Sequence, residues 1–249
     1  MRPLAGSVWP ELPEYPLVVV PLGSVEQHGH HLPLSTDTAV ACAVAEAASP
    51  RLDGALLAPA LAYGASGEHE GFPGTISLGT EALTGLLIEY GRSACRWAGR
   101  VLIVNGHGGN LDALRTAGTR LRAEGRDVAW FPCGVPAGVP DVDAHAGRTE
   151  TSLMLHVEPE GVRRDHAVPG ETAPIADLLP RLRAEGVRAL SPTGVLGNPA
   201  GASAEEGATL TALLADRLAR ATQRWRVAAD GRLLGDVPGG SAGPVVAAG

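Results

Sequence analysis

The chain has 249 residues and a mass of 25.5 kDa, is 45% apolar, and carries a formal net charge of −7 with a pI near 5.6. That is enough chain to bury the core of one sizeable α/β domain. The acidic balance, without a cluster of Lys and Arg, excludes a nucleic-acid partner. Cys42, Cys95 and Cys133 sit in apolar stretches without the close spacing of a zinc site or disulfide framework, and read as reduced core residues. No apolar run approaches about 18 residues and no cleavable leader pattern opens the chain, so a cytoplasmic protein without a membrane span is expected.

In chain order, the continuous apolar run 17–22 predicts a strand buried on both faces of a parallel sheet. A helix is expected over 38–48, with Thr36 or Asp37 as its N-cap. A strand over 55–60, a helix over 81–97, a strand over 100–105, a helix over 111–124 and a strand over 127–132 follow. A short helix over 150–156 stands behind the loop 141–148, and looser chain after Val162 holds helices over 177–185 and 204–227, separated by the Gly- and Pro-rich stretch 191–202. This alternation predicts a single-domain layered α/β sandwich whose mostly parallel sheet is flanked by helices, with ligands beyond the carboxyl ends of the strands. Residues 1–235 are expected to form that domain, and 236–249, made of Gly, Ala, Pro, Ser and Val after its first residue, a flexible tail.

Titratable residues gather at those strand ends. Glu26 and His28 follow the first strand two residues apart, so they project to one side if extended geometry continues past Gly23, with Gln27 on the other. A carboxylate and an imidazole on one face are two metal ligands. Asp37, returned by the turn at Pro33, offers two oxygens that bridge cations about 3.5 to 4 Å apart; capping the next helix is its alternative role. Asn105-Gly106-His107-Gly108-Gly109-Asn110 delivers a histidine on an uncrowded backbone. It lacks the Walker lysine and the GxGxxG spacing, and fits metal ligation better than phosphate cradling. In the segment from Ala144 to Ser152, His145 precedes Glu150 by five residues. Alone, Glu150 is a first-turn acid favoured by the helix dipole. Together, Glu26, His28, Asp37, His107 and Glu150 are what one pair of divalent cations needs.

In this order, Gly-Ser-Val-Glu26-Gln-His28-Gly, Leu-Pro-Leu-Ser-Thr-Asp37-Thr, Ser66-Gly-Glu68-His69-Glu-Gly-Phe-Pro-Gly-Thr75-Ile-Ser-Leu, Asn105-Gly-His107-Gly-Gly-Asn110 and His145-Ala-Gly-Arg-Thr-Glu150-Thr-Ser resemble the creatininase family of metal-dependent amidohydrolases. The resemblance runs from about residue 15 to about residue 225. It implies a flattened sandwich on a parallel sheet, two divalent metal ions per subunit, and a homo-oligomer, hexameric or related. It makes Glu26, His28, Asp37 and His107 metal ligands, with Asp37 bridging, and His145 the acid–base group. Creatininase has a glutamate ligand two residues after its Asn-Gly-His histidine, where this chain has Gly109; Glu150 is expected to supply that carboxylate. Creatininase also has a tryptophan four residues before its catalytic histidine, where this chain has Asp141, so creatinine is a poor substrate expectation. The stretches from His145 to His156, Leu178 to Arg183 and Ala189 to Gly207 are most similar to a peptide-processing branch of the family. That similarity implies release of a modified C-terminal Val-Tyr unit from a ribosomally made precursor.

An amide resists water near neutral pH. Two cations lower the pKa of a shared water from about 15.7 toward 7 and polarise the carbonyl, while His145 protonates the leaving nitrogen, an assistance worth about 10²- to 10⁴-fold. Histidine and carboxylate donors suit zinc, manganese and ferrous iron alike. Glu68, His69 and Thr75, in a glycine-rich loop, are expected to border the substrate. His30 and His31 are expected to adjoin the ligands without ligating, and His156 and His166 to be structural or solvent-facing. Two other readings are an amidohydrolase acting on a small cyclic amide or formamide, and a non-catalytic metal-binding module that presents the precursor peptide.

Overall fold

The β-branched runs at 17–22 and 100–105 form the two central strands of the molecule, described by a computed structural model for residues 1–136, 139 and 142–235. Asp141 and the expected tail 236–249 lie outside the described residues. The strands β1 (Arg2–Pro3), β2 (Leu17–Leu22), β3 (Leu56–Leu57), β4 (Arg100–Asn105) and β5 (Val128–Pro132) make one sheet in the order β1-β3-β2-β4-β5, with every pairing parallel. The expected α/β architecture is observed.

Both faces of the sheet are covered, which is why its strands read as unbroken apolar runs. Val19, Leu102, Val104, Ala129 and Phe131 face α1 (Thr36–Ala48), α4 (Arg148–Val157) and α7 (Ala204–Arg224). The alternate residues Val18, Val20, Val101, Ile103, Val128 and Trp130 face α2 (Thr80–Ala94) and α3 (Leu111–Ala123). Each fully buried leucine in these layers contributes about 1.5–3 kcal/mol. The short α5 (Ile175–Glu185) and α6 (Val187–Leu190) form a separate apolar cluster with Ala144 and Leu196.

Differences from the sequence expectation have local causes. The strand expected over 55–60 shortens to Leu56–Leu57 because Pro59 has no N–H to donate; pairing resumes where Leu61 N–H donates to the Pro21 carbonyl over 2.9 Å. β1 was not expected, since two residues carry no periodicity. α7 starts at Ser203, whose hydroxyl accepts the Glu206 N–H over 3.1 Å, and ends at Trp225 in the left-handed region with φ of +47°. Among the described residues, no helix is long and apolar enough to cross a membrane.

β2 and β4 end in register, Leu22 opposite Asn105. The polar segments that follow both strands, and the first turns of α1 and α4, therefore meet at one edge of the sheet.

Candidate metal centre

Asparagines stitch the two strand ends together. Asn105 Nδ2 donates to the His107 carbonyl over 2.6 Å, and Asn110 Nδ2 to the Gly23 carbonyl and to Asn105 Oδ1, each over 3.0 Å. Beyond Gly23 the chain leaves the strand and is pinned by Val25 pairing with Ile76 and by Glu26 N–H donating to the Leu34 carbonyl over 3.1 Å. Strict alternation therefore lapses. Glu26 and His28 converge as expected, but Gln27, expected to face away, is buried beside them. Neither Thr36 nor Asp37 caps α1: Ser35 holds that position without a side-chain bond, Thr36 bonds the Pro33 carbonyl, and Asp37, in the first turn, faces histidines.

His145 is held by a bridge to Leu196, and Ala146 follows in the left-handed region with φ of +52°. That turn aims the Ala146 N–H at Glu150 Oε2, 2.5 Å away, while Asp143 accepts the first N–H groups of α4 from Arg148 and Thr149. Glu150 is thus directed inward from the first turn of α4.

The seven residues Glu26, His28, Asp37, His69, His107, His145 and Glu150 come together with at most 3% of any side chain exposed. Three triads place one ligand atom per residue within 4.8 Å of one another: Glu26 with Asp37 and His107, His28 with Asp37 and Glu150, and Glu26 with His28 and His145. Asp37 belongs to the first two. Its Oδ1 lies 3.2 Å from His28 Nε2 and its Oδ2 3.4 Å from His107 Nδ1.

Three of the four histidines are oriented as metal ligands are, with one nitrogen on a backbone carbonyl and the other turned toward a carboxylate. His28 Nδ1 lies 3.2 Å from the Glu26 carbonyl, His107 Nε2 3.1 Å from that of Ala65, and His145 Nε2 2.9 Å from that of Gln27. The opposite nitrogens face carboxylates, His145 Nδ1 at 3.8 Å from Glu26 Oε1 and 3.9 Å from Glu150 Oε2. Both Glu26 oxygens, Asp37 Oδ2, His107 Nδ1 and His145 Nδ1 are buried without a hydrogen-bond partner. Orphaned acceptors facing one another are costly unless a cation lies between them. The donor set fits divalent metal ions.

Electrostatics agree. Burial, then the charges of Asp37, Glu68 and Glu150, hold the Glu26 carboxyl well above its ordinary range. Burial, opposed by His28, raises Glu150 to about 7. Burial disfavours the charged ring of His28, yet Asp37 and then Glu150 outweigh it and raise that ring to about 9. His69 and His145 are driven well below the ordinary value by burial and by neighbouring histidines.

Of the residues expected to border substrate, Glu68 has 24% of its side chain exposed and its Oε1 lies 3.6 Å from His107 Nε2. It fills the space over Gly109, where a Cβ would fall 2.5 Å from Glu68 Oε1 and 2.4 Å from His107 Nε2. The carboxylate absent from position 109 has no room there, while Glu150 stands beside His28 and Asp37. His69 Nε2 lies 3.3 Å from Glu26 Oε1, and Thr75 Oγ1 accepts the Gln27 N–H over 3.2 Å. His31 is buried against Thr151, burial lowering its ring to about 4, and His30, His156 and His166 are exposed. Sequence reasoning missed Gln27 and the segment around Gly194 that packs on it; contacts spanning 167 positions leave no local signal.

The chain matches the creatininase family profile, described as creatinine amidohydrolase, over residues 5–222. It is 53% identical to the mycofactocin precursor peptide peptidase of Mycolicibacterium smegmatis over 223 residues, 88% of this chain and 89% of that protein. It is 33% identical to the creatinine amidohydrolase of Pseudomonas putida over 219 residues, 77% of this chain and 82% of that protein. The fold superposes on a manganese form of creatininase with a TM-score of 0.73 at 28% identity, covering 89% of this chain and 97% of that one. A profile match over most of the chain, two relatives that each cover more than two thirds of it, and a shared fold establish that this chain belongs to the creatininase family.

Proposed function

We propose that the chain is a two-metal peptidase that cleaves an amide bond of the mycofactocin precursor peptide, releasing a modified C-terminal Val-Tyr unit. The observation that carries this reading is Asp37, whose two oxygens face two separate ligand groups, Glu26 with His107 and His28 with Glu150. The substrate class follows the 53% identical relative, named for precursor peptide cleavage, in preference to the 33% identical creatinine amidohydrolase.

Glu26, Asp37 and His107 would hold one cation, and His28, Asp37 and Glu150 the other. When bound, the pair supplies an acidified water and polarises the amide carbonyl. Neutral His145, its Nε2 proton committed to the Gln27 carbonyl, presents the Nδ1 lone pair to the cluster. That atom accepts a proton from the attacking water and returns it to the amide nitrogen as the C–N bond breaks. Glu150 anchors the turn that positions His145, through the Ala146 N–H. Burial of the cluster excludes bulk water, while Glu68, 3.6 Å from His107, keeps 24% of its side chain exposed. Glu68, with the His69 and Thr75 loop, would border the incoming peptide.

Manganese, zinc and ferrous iron all suit these donors, and a solved creatininase is a manganese form. The exposed Val8, Trp9 and Tyr15 support a homo-oligomer, a hexamer or a related assembly. The free thiols of Cys42, Cys95 and Cys133 suit the reducing cytoplasm.

The test is incubation of metal-loaded protein with precursor peptide ending in Val-Tyr, with and without modification, followed by product masses. Release of the dipeptide unit is expected. Turnover of a formamide or lactam with no peptide cleavage would overturn the reading in favour of a small-amide hydrolase.

A further inference from the structure

Gln27 has no chemistry of its own, yet its side-chain amide is held on every side. Oε1 accepts the Gly29 N–H over 2.8 Å, which fixes the orientation of the amide and turns Nε2 inward. Nε2 then lies 2.9 Å from His69 Nδ1, 3.0 Å from His145 Nε2 and 3.1 Å from the Gly194 carbonyl. An amide nitrogen has two protons for these three neighbours. His145 Nε2 is spoken for as a donor, to the Gln27 carbonyl at 2.9 Å. The two amide protons therefore go to Gly194 and to His69 Nδ1. The fit is close: Gly194 has φ of +80°, and a Cβ there would fall 1.9 Å from Gln27 Oε1.

With Nδ1 accepting, neutral His69 carries its proton on Nε2, 3.3 Å from Glu26 Oε1. This inverts the pattern of the other three rings. His28, His107 and His145 each set one ring nitrogen against a backbone carbonyl and the other toward a carboxylate, whereas His69 turns a proton inward.

We propose that Gln27 is a positioning residue that locks His69 in the Nε2–H tautomer, so that His69 turns an N–H and not a lone pair toward Glu26 Oε1 and is not a metal ligand. Glu26 Oε2, buried without a hydrogen-bond partner, is thereby left for the cation. The inference rests on the two-metal reading of the site and deepens it, because outer partners that orient a ligand are typically worth about 10- to 100-fold in metal affinity.

The test is a long-range proton–nitrogen-15 spectrum of the zinc-loaded protein, paired with zinc affinity measured against a chromophoric chelator. In the wild type, His69 Nδ1 is expected unprotonated and Nε2 protonated. Gln27→Glu presents only acceptor oxygens to Nδ1, and is expected to move the proton to Nδ1 and weaken zinc binding about 10- to 100-fold. A wild-type spectrum with the His69 proton on Nδ1, or zinc on Nε2, overturns the inference even if the variant fails to fold. So does a folded Gln27→Glu protein with wild-type affinity. Wild-type protein that binds no zinc at all would instead fail the two-metal reading, and the two failures are distinct.

Discussion

Asp37 Oδ1 stands 3.2 Å from His28 Nε2, with no more than 1% of either side chain exposed. A carboxylate so placed is stabilised by a shared cation or by a proton on the ring. Because its other oxygen faces His107, Asp37→Ala is expected to reduce bound metal from two equivalents per chain to one or none. Activity should fall by more than about 10²-fold, the upper range for loss of a group that merely orients a ligand. Elemental analysis after gel filtration checks this; two retained equivalents would remove Asp37 from the bridging position.

His145→Ala separates proton transfer from metal binding. The variant is expected to keep both metals and its KM within a few-fold, while kcat falls by about 10²- to 10⁴-fold. Steady-state kinetics beside elemental analysis checks this. Loss of one metal would make His145 a ligand, in line with its place in the Glu26 and His28 triad.

The metal-free protein should have an unusual stability profile. Glu150 is raised from 4.5 to about 7 and His28 from 6.5 to about 9, and Glu26 is shifted in the same direction. The folded state then holds protons that the unfolded state has released, and the stability they contribute is lost as pH rises through those folded values. His69 and His145 are shifted downward, so their contribution grows only up to the ordinary value of 6.5 and is flat above it. Between about pH 6.5 and 9 the Tm of metal-free protein is expected to fall by several degrees, at about 2–4 °C per kcal/mol for a chain of this size. Saturating zinc or manganese, which competes with those protons, should flatten or reverse the slope. Thermal melts at half-unit pH steps measure both.

α7 packs on α4, which carries Glu150, and on α1, which carries Asp37. Leu214, fully buried in that layer, is expected to cost about 2–5 kcal/mol on replacement by Ala. Urea denaturation of metal-free protein checks the figure. A change below 1 kcal/mol would show that α7 is not a supporting wall of the site.

Much of this was legible in the residues because it is local. β2 and β4 were read to the residue, since a strand covered on both faces is an unbroken apolar run. Glu26, His28 and His107 stood out as polar residues just past strand ends, and Asp37 and Glu150 joined them as carboxylates at helix starts. What could not be read depends on contacts distant in sequence. The stretch over 191–202 looked like a loose loop, yet it places Gly194 on Gln27 and pairs Leu196 with His145. Gln27 was sent to the wrong side because alternation was carried past Leu22, where the strand ends. The helix-cap alternative for Asp37 falls away because the rings of His28 and His107 stand against its oxygens.

Anomalous scattering from crystals of the metal-loaded protein, collected at the edge of the bound metal, tests the central claim most directly. Two peaks are expected within ligand distance of Asp37, one beside Glu26 and His107 and the other beside His28 and Glu150. A single peak, or peaks away from Asp37, would contradict the account.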